Sequence, residues 1–490
     1  METNRGNTMN GFLKDNHYNL GHFFMDYMSK FPEDCIWQID AGTGATESKL
    51  SVKSRSIRLA RCLRVAGLRP GDVAVVCGRN HLDLHIPFYA AFMNGLPLAV
   101  IDPIYRYEEI KHHFKTTKPR IVFCEVENFG DITRVVKDLG LDTKIVTFGD
   151  GDHSLTKFLE KYDDHEPEHT FKVASFDTEK VFAWLISTSG TSGLPKVAAI
   201  KHPTIILEVI PLYEKIKEKE IQPAMISSSV QWISSYLVSL SMITTNHIKV
   251  ASSSPITVEH AIDIINKYKP VISIGGPHLF SGIVRHPKSC DLTCFNRIVL
   301  TGSSTDPQIL QLLKSRLYPK AEVWNVYGQT ECAGPILDAC PHGPAGNVGK
   351  ELPQVKVQLV DTATGEVVTK PNKTGELWSK GPRFAGYYNN PESTAEAFTP
   401  DGWYKTGDLL YRDEDGYYYY VDRISNSFKV RGYIVMPMEV ENVIQTHPDV
   451  VEACVVGVPH ADDGKRAVAV VQRRVGAAVT EQQIKDLVAS

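Results

Sequence analysis

The sequence has no long hydrophobic run. No window approaches the roughly 18 consecutive apolar residues of a membrane-spanning helix, and Met1 to Asn19 is polar, without the apolar core of a signal peptide. These absences predict a soluble, intracellular protein with no membrane span. Basic charge is not in excess either: 53 basic and 57 acidic residues are mixed along the chain for a net charge of −4. That balance argues against nucleic acid or an anionic lipid surface as partner. Cysteine is sparse and odd in number, nine in 490 residues, which fits reduced thiols rather than a disulfide framework. Cys290 and Cys294 with His286 come nearest to a metal set, but no second pair lies near them, and structural zinc takes four ligands. Gly42-Thr-Gly44 lacks the third glycine and the preceding strand of a dinucleotide fingerprint, so it reads as a turn.

What is present centres on Trp184 to Lys196. Phe182 to Ile186 reads as a short buried strand. It empties into Ser187, Thr188, Ser189, Thr191 and Ser192, interleaved with Gly190 and Gly193 and closed by Leu-Pro-Lys196. Glycines let successive backbone N–H groups turn toward one anion, hydroxyls add donors without bulk, and a lysine adds a point charge, so the loop is suited to phosphate. It is not a P-loop, because Pro195 stands where G-x-x-x-x-G-K-[ST] needs glycine.

A chain of 490 residues suggests about three domain-sized units. From Leu50 onward helix and strand patterns alternate: a helix to Ala66, strand Val73 to Cys77, a helix from about His81 to Met93, strand Leu98 to Ile101, a helix from Tyr107, and strand Ile121 to Cys124. Alternation of this kind predicts right-handed crossovers and a mainly parallel sheet. On the expected helix, His81 and His85 would fall one turn apart. Further on, Arg297 to Leu300 reads as a strand, Asp306 caps a helix with Pro307 at its first position, and Val323 to Tyr327 is the next strand. It leads into Tyr327-Gly-Gln-Thr-Glu331, an aromatic plane, a tight turn, a hydroxyl and a carboxylate. Such a strand end can stack a base, admit a phosphate and offer one oxygen ligand to Mg²⁺. After Gly349 the chain is rich in glycine and short strands, as in a small β subdomain, and Trp403-Tyr-Lys-Thr-Gly-Asp408 ends in a carboxylate.

These motifs, in this order, resemble those of the adenylate-forming (AMP-binding) superfamily, nearest to luciferase-like and 4-coumarate-CoA ligase-like acyl-CoA synthetases. The resemblance covers essentially the whole chain. It implies an α/β protein with a large N-terminal AMP-binding domain over 1–421, built of parallel-rich sheets plus a small β subdomain. A small α+β C-terminal domain follows over 422–490. ATP, Mg²⁺ and coenzyme A are the implied cofactors, and a small-molecule carboxylic acid is the implied substrate. Thr188, Ser189, Gly190, Thr191, Ser192, Gly193 and Lys196 would surround the phosphates, with Gly302, Ser303 and Ser304 as an adenine shelf on which Ser303 replaces the usual glycine. Tyr327 and Gly328 would flank adenine, Thr330 the α-phosphate, and Glu331 the metal; Asp408 and Arg423 would take the ribose. Thr330, Glu331 and Lys196 are thus the candidate catalytic residues.

Ser229-Val-Gln-Trp-Ile-Ser-Ser235 falls where the resemblance puts the acyl or aryl pocket, with Trp232, Ile233 and Tyr236 as its wall. It lacks the aspartate with which amino-acid-activating relatives pair the substrate ammonium, a charge costly to bury alone. Lys429, Arg431 and Gly432 fall on the coenzyme A side, although Ser425 and Arg431 stand where lysines are usual. Relatives are often peroxisomal, whereas Leu-Val-Ala-Ser490 is not a peroxisomal tripeptide, so peroxisome and cytoplasm both stay open. Thr480 to Gln483 is a capping box that opens a last helix with Ile484, Leu487 and Val488 on one face. The resemblance implies a later Pro-x-x-x-x-Gly-Lys loop that is not among these residues; Gly464-Lys465 is the only late Gly-Lys pair and reads as loop. Impaired adenylation by this polypeptide is therefore expected. A non-catalytic nucleotide- or acyl-binding protein and a carrier-protein-loading adenylation domain are the alternative readings.

Overall fold

The computed structural model describes residues 16–30, 32, 34–188, 195–210, 216–430, 433–460, 464–474 and 476–489. Two seven-stranded sheets dominate. The first runs Gly386–Tyr387, Lys196–Lys201, Phe182–Thr188, Leu98–Ile101, Ala74–Cys77, Ile121–Cys124, Lys144–Thr147. Its last five strands are parallel, while Lys196–Lys201 and Gly386–Tyr387 run antiparallel to their neighbours. The second runs Glu322–Asn325, Arg297–Leu300, Ile272–Gly275, Gln222–Ile226, His247–Ala251, Ile36–Asp40, Thr46–Ser48, parallel except for the last pair. Ala74–Cys77, Leu98–Ile101 and Ile121–Cys124 are buried along their whole length, as expected of parallel strands covered on both faces. A four-stranded antiparallel sheet, Lys356–Val360, Gly375–Lys380, Tyr404–Arg412 and Tyr418–Arg423, forms the small β unit. After Arg423 come two strand pairs and the helices Pro437–Gln445 and Glu481–Ala489, an α+β unit with its own core around Phe428, Ile444 and Val455. Among the described residues no helix is long and apolar enough to cross a membrane.

Several expectations need correction. The helix expected from about His81 begins at Ile86, with Pro87 at its start. Residues 81–85 form turns in which Asp83 N donates to His81 Nδ1 at 3.2 Å, so the two histidines share no helix face. Lys465 lies in the Gly464–Arg473 strand opposite Pro459, not in a loop. On the face expected of the last helix, Ile484 is buried while Val488 is exposed.

Burial also produces an unforeseen lysine. Lys249, on the His247–Ala251 strand, is almost fully buried, and its Nζ meets His85 Nδ1 at 2.7 Å. Among the described residues no carboxylate lies within ion-pair reach of it. Desolvation drives the ammonium down from 10.5 to about 7, against the weaker pull of Glu47 and Asp40. The sign follows from linkage: the folded state favours the neutral amine, so that contribution is fully present above the unfolded value of 10.5 and is lost as pH falls toward about 7. Lys249→Met is expected to flatten the pH dependence of stability across that window. Urea unfolding at several pH values checks this, and equal slopes in both proteins would mean that Nζ is charged in the fold.

Candidate active site

In the second sheet, Arg297–Leu300 and Glu322–Asn325 lie side by side with Leu300 opposite Asn325, so the segments that leave their carboxyl ends start together. One carries Gly302, Ser303 and Ser304, all exposed; the other carries Tyr327 to Glu331. Open α/β sheets bind ligands at such ends. Gly328 and Gln329 pair antiparallel with Gly334 and Pro335. A Cβ at Gly328 would stand 2.3 Å from Gly334 O, so glycine is required there by backbone packing.

Asp408 comes from the β unit, directly across the ladder from Arg423. It is 2% exposed and already heavily engaged. Oδ2 accepts the Tyr327 hydroxyl at 2.8 Å and Gln329 Nε2 at 2.5 Å, and Oδ1 accepts Arg423 Nε at 3.1 Å. Gln329 is held in turn by the Tyr404 hydroxyl at 2.9 Å. A carboxylate oxygen takes about two donors, so Oδ2 is full and Oδ1 retains one place, on the Arg423 side. Burial raises the Asp408 carboxyl, opposed by Arg423, Tyr327 and Gln329. The Tyr420 ring lies 6.1 Å from that of Tyr327.

A second cluster joins the other motifs. Thr188 and Lys196 are cross-strand partners at the end of a hairpin; Ser189, Gly190, Thr191, Ser192 and Gly193 lie outside the described residues. His112 Nε2 meets Pro195 O at 2.9 Å and fixes the hairpin's returning end. Thr330 opens a single 3₁₀ turn, Thr330–Cys332, that carries Glu331. Glu331 is 9% exposed; its Oε1 accepts the Tyr387 hydroxyl at 3.0 Å. Burial pushes its carboxyl above the usual range, while its own backbone N–H and the hydroxyls of Tyr387 and Thr188 pull it down. The Lys196 ammonium lies 5.1 Å from the Tyr387 ring centroid. Among the described residues no three His, Cys, Asp or Glu converge on one point. Glu331 therefore suits an ion that takes one protein carboxylate and fills its remaining positions with substrate phosphate and water, which is the habit of Mg²⁺.

Trp232 stands at the N-terminus of the Ile233–Thr245 helix and is 52% exposed. Ile233 is half-buried, and Tyr236 is fully buried against Trp184 and Phe88, in the core. A carboxylate does reach this segment from elsewhere. Asp102, after the Leu98–Ile101 strand, accepts Ser229 Oγ on Oδ2 at 3.3 Å and Ile104 N on Oδ1 at 2.9 Å. Lys429 is exposed on the Phe428–Val430 strand; Arg431 and Gly432 lie outside the described residues. The sequence reading missed Gln329, Tyr387, Tyr420 and Asp102. Gln329 lies within the Tyr327–Glu331 motif, while the others are delivered by topology alone.

The family model of the AMP-binding enzymes matches residues 39–388, and that of the AMP-binding enzyme C-terminal domain matches 439–490. A 4-coumarate-CoA ligase-like protein of Oryza sativa subsp. japonica is 30% identical over 92% of this chain and 78% of its own length. The luciferin 4-monooxygenase of Photinus pyralis is 30% identical over 89% of this chain and 81% of its own. The crystal structure of ATP-bound MatB from Rhodopseudomonas palustris shares the fold with a TM-score of 0.83, covering 96% of this chain and 92% of that one at 23% identity. Fold, motif order and relatives agree, and the chain belongs to the AMP-binding, adenylate-forming enzyme family.

Proposed function

We propose that this protein is an ATP-dependent acid–thiol ligase acting on a fatty or aryl carboxylic acid that has no α-amino group. The observation that carries the reading is the convergence of Glu331, Thr188 and Lys196, from two separate motifs, around Tyr387, with the pair of buried Asp408 and half-buried Arg423 nearby. In the first half-reaction a substrate carboxylate oxygen attacks the α-phosphorus of ATP and diphosphate leaves. In the second, the thiol sulfur of coenzyme A attacks the acyl carbonyl and AMP leaves. Lys196 would neutralise phosphate charge, Thr330 would donate to the α-phosphate, and Glu331 would hold Mg²⁺, whose bound charge favours departure of diphosphate. Tyr327, Asp408 and Arg423 would hold the nucleoside, and the surface bearing Lys429, Arg431 and Gly432 would face coenzyme A. Much of the protein's work is positioning.

The acid preference is supported by the segment around Trp232. The segment carries no carboxylate of its own to pair a substrate ammonium; Asp102, which reaches it through Ser229, holds one donor on each oxygen. ATP–diphosphate exchange over a panel of acids is expected to rank medium-to-long acyl or cinnamate-like acids above every free amino acid; an amino acid at the head of the ranking overturns the preference. Trapping of a coenzyme A thioester separates a ligase from a carrier-protein-loading domain, and absence of exchange with any acid would favour a binding protein.

A further inference from the structure

Tyr387 belongs to none of the three motifs, yet parts of two of them meet on it. Its hydroxyl donates to Glu331 Oε1 at 3.0 Å, and its ring faces the Lys196 ammonium at 5.1 Å. Hydrogen bonds to an ionised acceptor are the strong ones, and a cation over an aromatic face is drawn to the ring quadrupole. One side chain thus restrains both a metal-binding carboxylate and a phosphate-binding ammonium.

The residue is held to do this. Gly386 and Tyr387 pair with Ala199 and Ala198, on the strand that begins at Lys196. Tyr387 N donates to Thr394 Oγ1 at 2.8 Å, and Asn390 N donates to Tyr387 O at 3.1 Å. Phe384 N donates to Glu331 O at 2.9 Å, tying the same segment to the backbone of the acid it orients, and the Phe384 ring lies 4.9 Å from that of Tyr387. Gly386 has φ +137, and a Cβ there would stand 2.7 Å from Thr394 Cγ2, so the bend that aims Tyr387 depends on glycine.

We propose that Tyr387 is a positioning residue for adenylation, its hydroxyl orienting Glu331 toward Mg²⁺ and its ring holding Lys196 toward the phosphates. The proposal rests on the roles given above to Glu331 and Lys196. It assigns two separable jobs to two parts of one side chain.

The test is calorimetric titration of the full chain with ATP alone and with MgATP, for wild type, Tyr387→Phe and Tyr387→Leu. Tyr387→Phe keeps the ring and is expected to leave metal-free ATP affinity unchanged, while the tightening produced by Mg²⁺ falls by about tenfold. Tyr387→Leu is expected to weaken metal-free ATP binding as well, by about two- to fivefold. In the Glu331→Gln background the metal-dependent effect of Tyr387→Phe should vanish, because the hydroxyl acts through Glu331. Equal weakening of ATP and MgATP by Tyr387→Phe would reveal a merely structural residue and overturn the proposal. So would an effect that persists in the Glu331→Gln background. Wild-type protein that binds ATP identically with and without Mg²⁺ overturns the Glu331 assignment itself, and with it this proposal.

Discussion

Asp408→Ala is expected to destabilise the fold by about 2–4 kcal/mol, the cost of leaving buried donors without an acceptor less what relief of the buried charge returns, and to weaken ATP binding by at least about tenfold. The first effect follows from what Asp408 already holds. Tyr327 and Gln329 donate to it inside the protein, and each donor left without an acceptor costs about 1–3 kcal/mol. Arg423, a third exposed, recovers part of its loss from water, and relief of the buried charge offsets a further part. The second effect follows from Oδ1, the oxygen with a place to spare beside Arg423. Its loss takes a charge-assisted acceptor from the ligand, worth about 1.5–3 kcal/mol, and frees the Tyr327 ring to drift. Urea unfolding reads the first effect, and calorimetry on the folded fraction reads the second. Asp408→Asn, which keeps the shape, should recover much of the stability and little of the affinity. Wild-type ATP affinity in folded Asp408→Ala would remove the residue from the site.

Glu331→Gln is expected to separate activity from stability. The side-chain carbonyl of glutamine still accepts the Tyr387 hydroxyl, and burial penalises the native charge, so the melting temperature should stay the same or rise. The adenylation rate should fall by about 10²–10³, the usual loss when one preorganised electrostatic group is removed. Diphosphate release measured alongside thermal unfolding checks both halves. A variant that adenylates within tenfold of wild type would show that this carboxylate does not hold the metal, and a large drop in melting temperature would show that its charge is structural.

Much of the scaffold was legible because it is written in local patterns. Ile121–Cys124 and Arg297–Leu300 are apolar runs bounded by breakers, and they occupy the expected residues. Asp306 caps its helix through Gln308 N at 2.8 Å, with Pro307 at the first turn, as its residue types require. Local pattern failed where tertiary contacts decide. At Ile86 a helix waits for its proline, and Val488 is left exposed on a helix face whose Ile484 is buried. Lys249 looks like any strand lysine until the turn bearing His85 meets its Nζ. At the site, Glu331 and Asp408 stand out by type within their motifs, but the donors that restrain them, Tyr387 and Arg423, are brought there by strand pairing. No periodicity reports a partner on another strand.

The strand Gly386–Tyr387 completes the first sheet at the edge next to Lys196–Lys201, although the two are far apart in the chain. Contacts of such long sequence separation form late, because a large loop must close before they are rewarded. During synthesis the N-terminal strands can assemble first, leaving the Lys196–Lys201 strand as an unpaired edge until the segment around Tyr387 has emerged from the ribosome. That edge is apolar over Val197 to Ile200, with a β-branched residue at each end, the kind of template on which a second nascent chain can add. The pairing that places a tyrosine on the site thus also covers the middle of that edge.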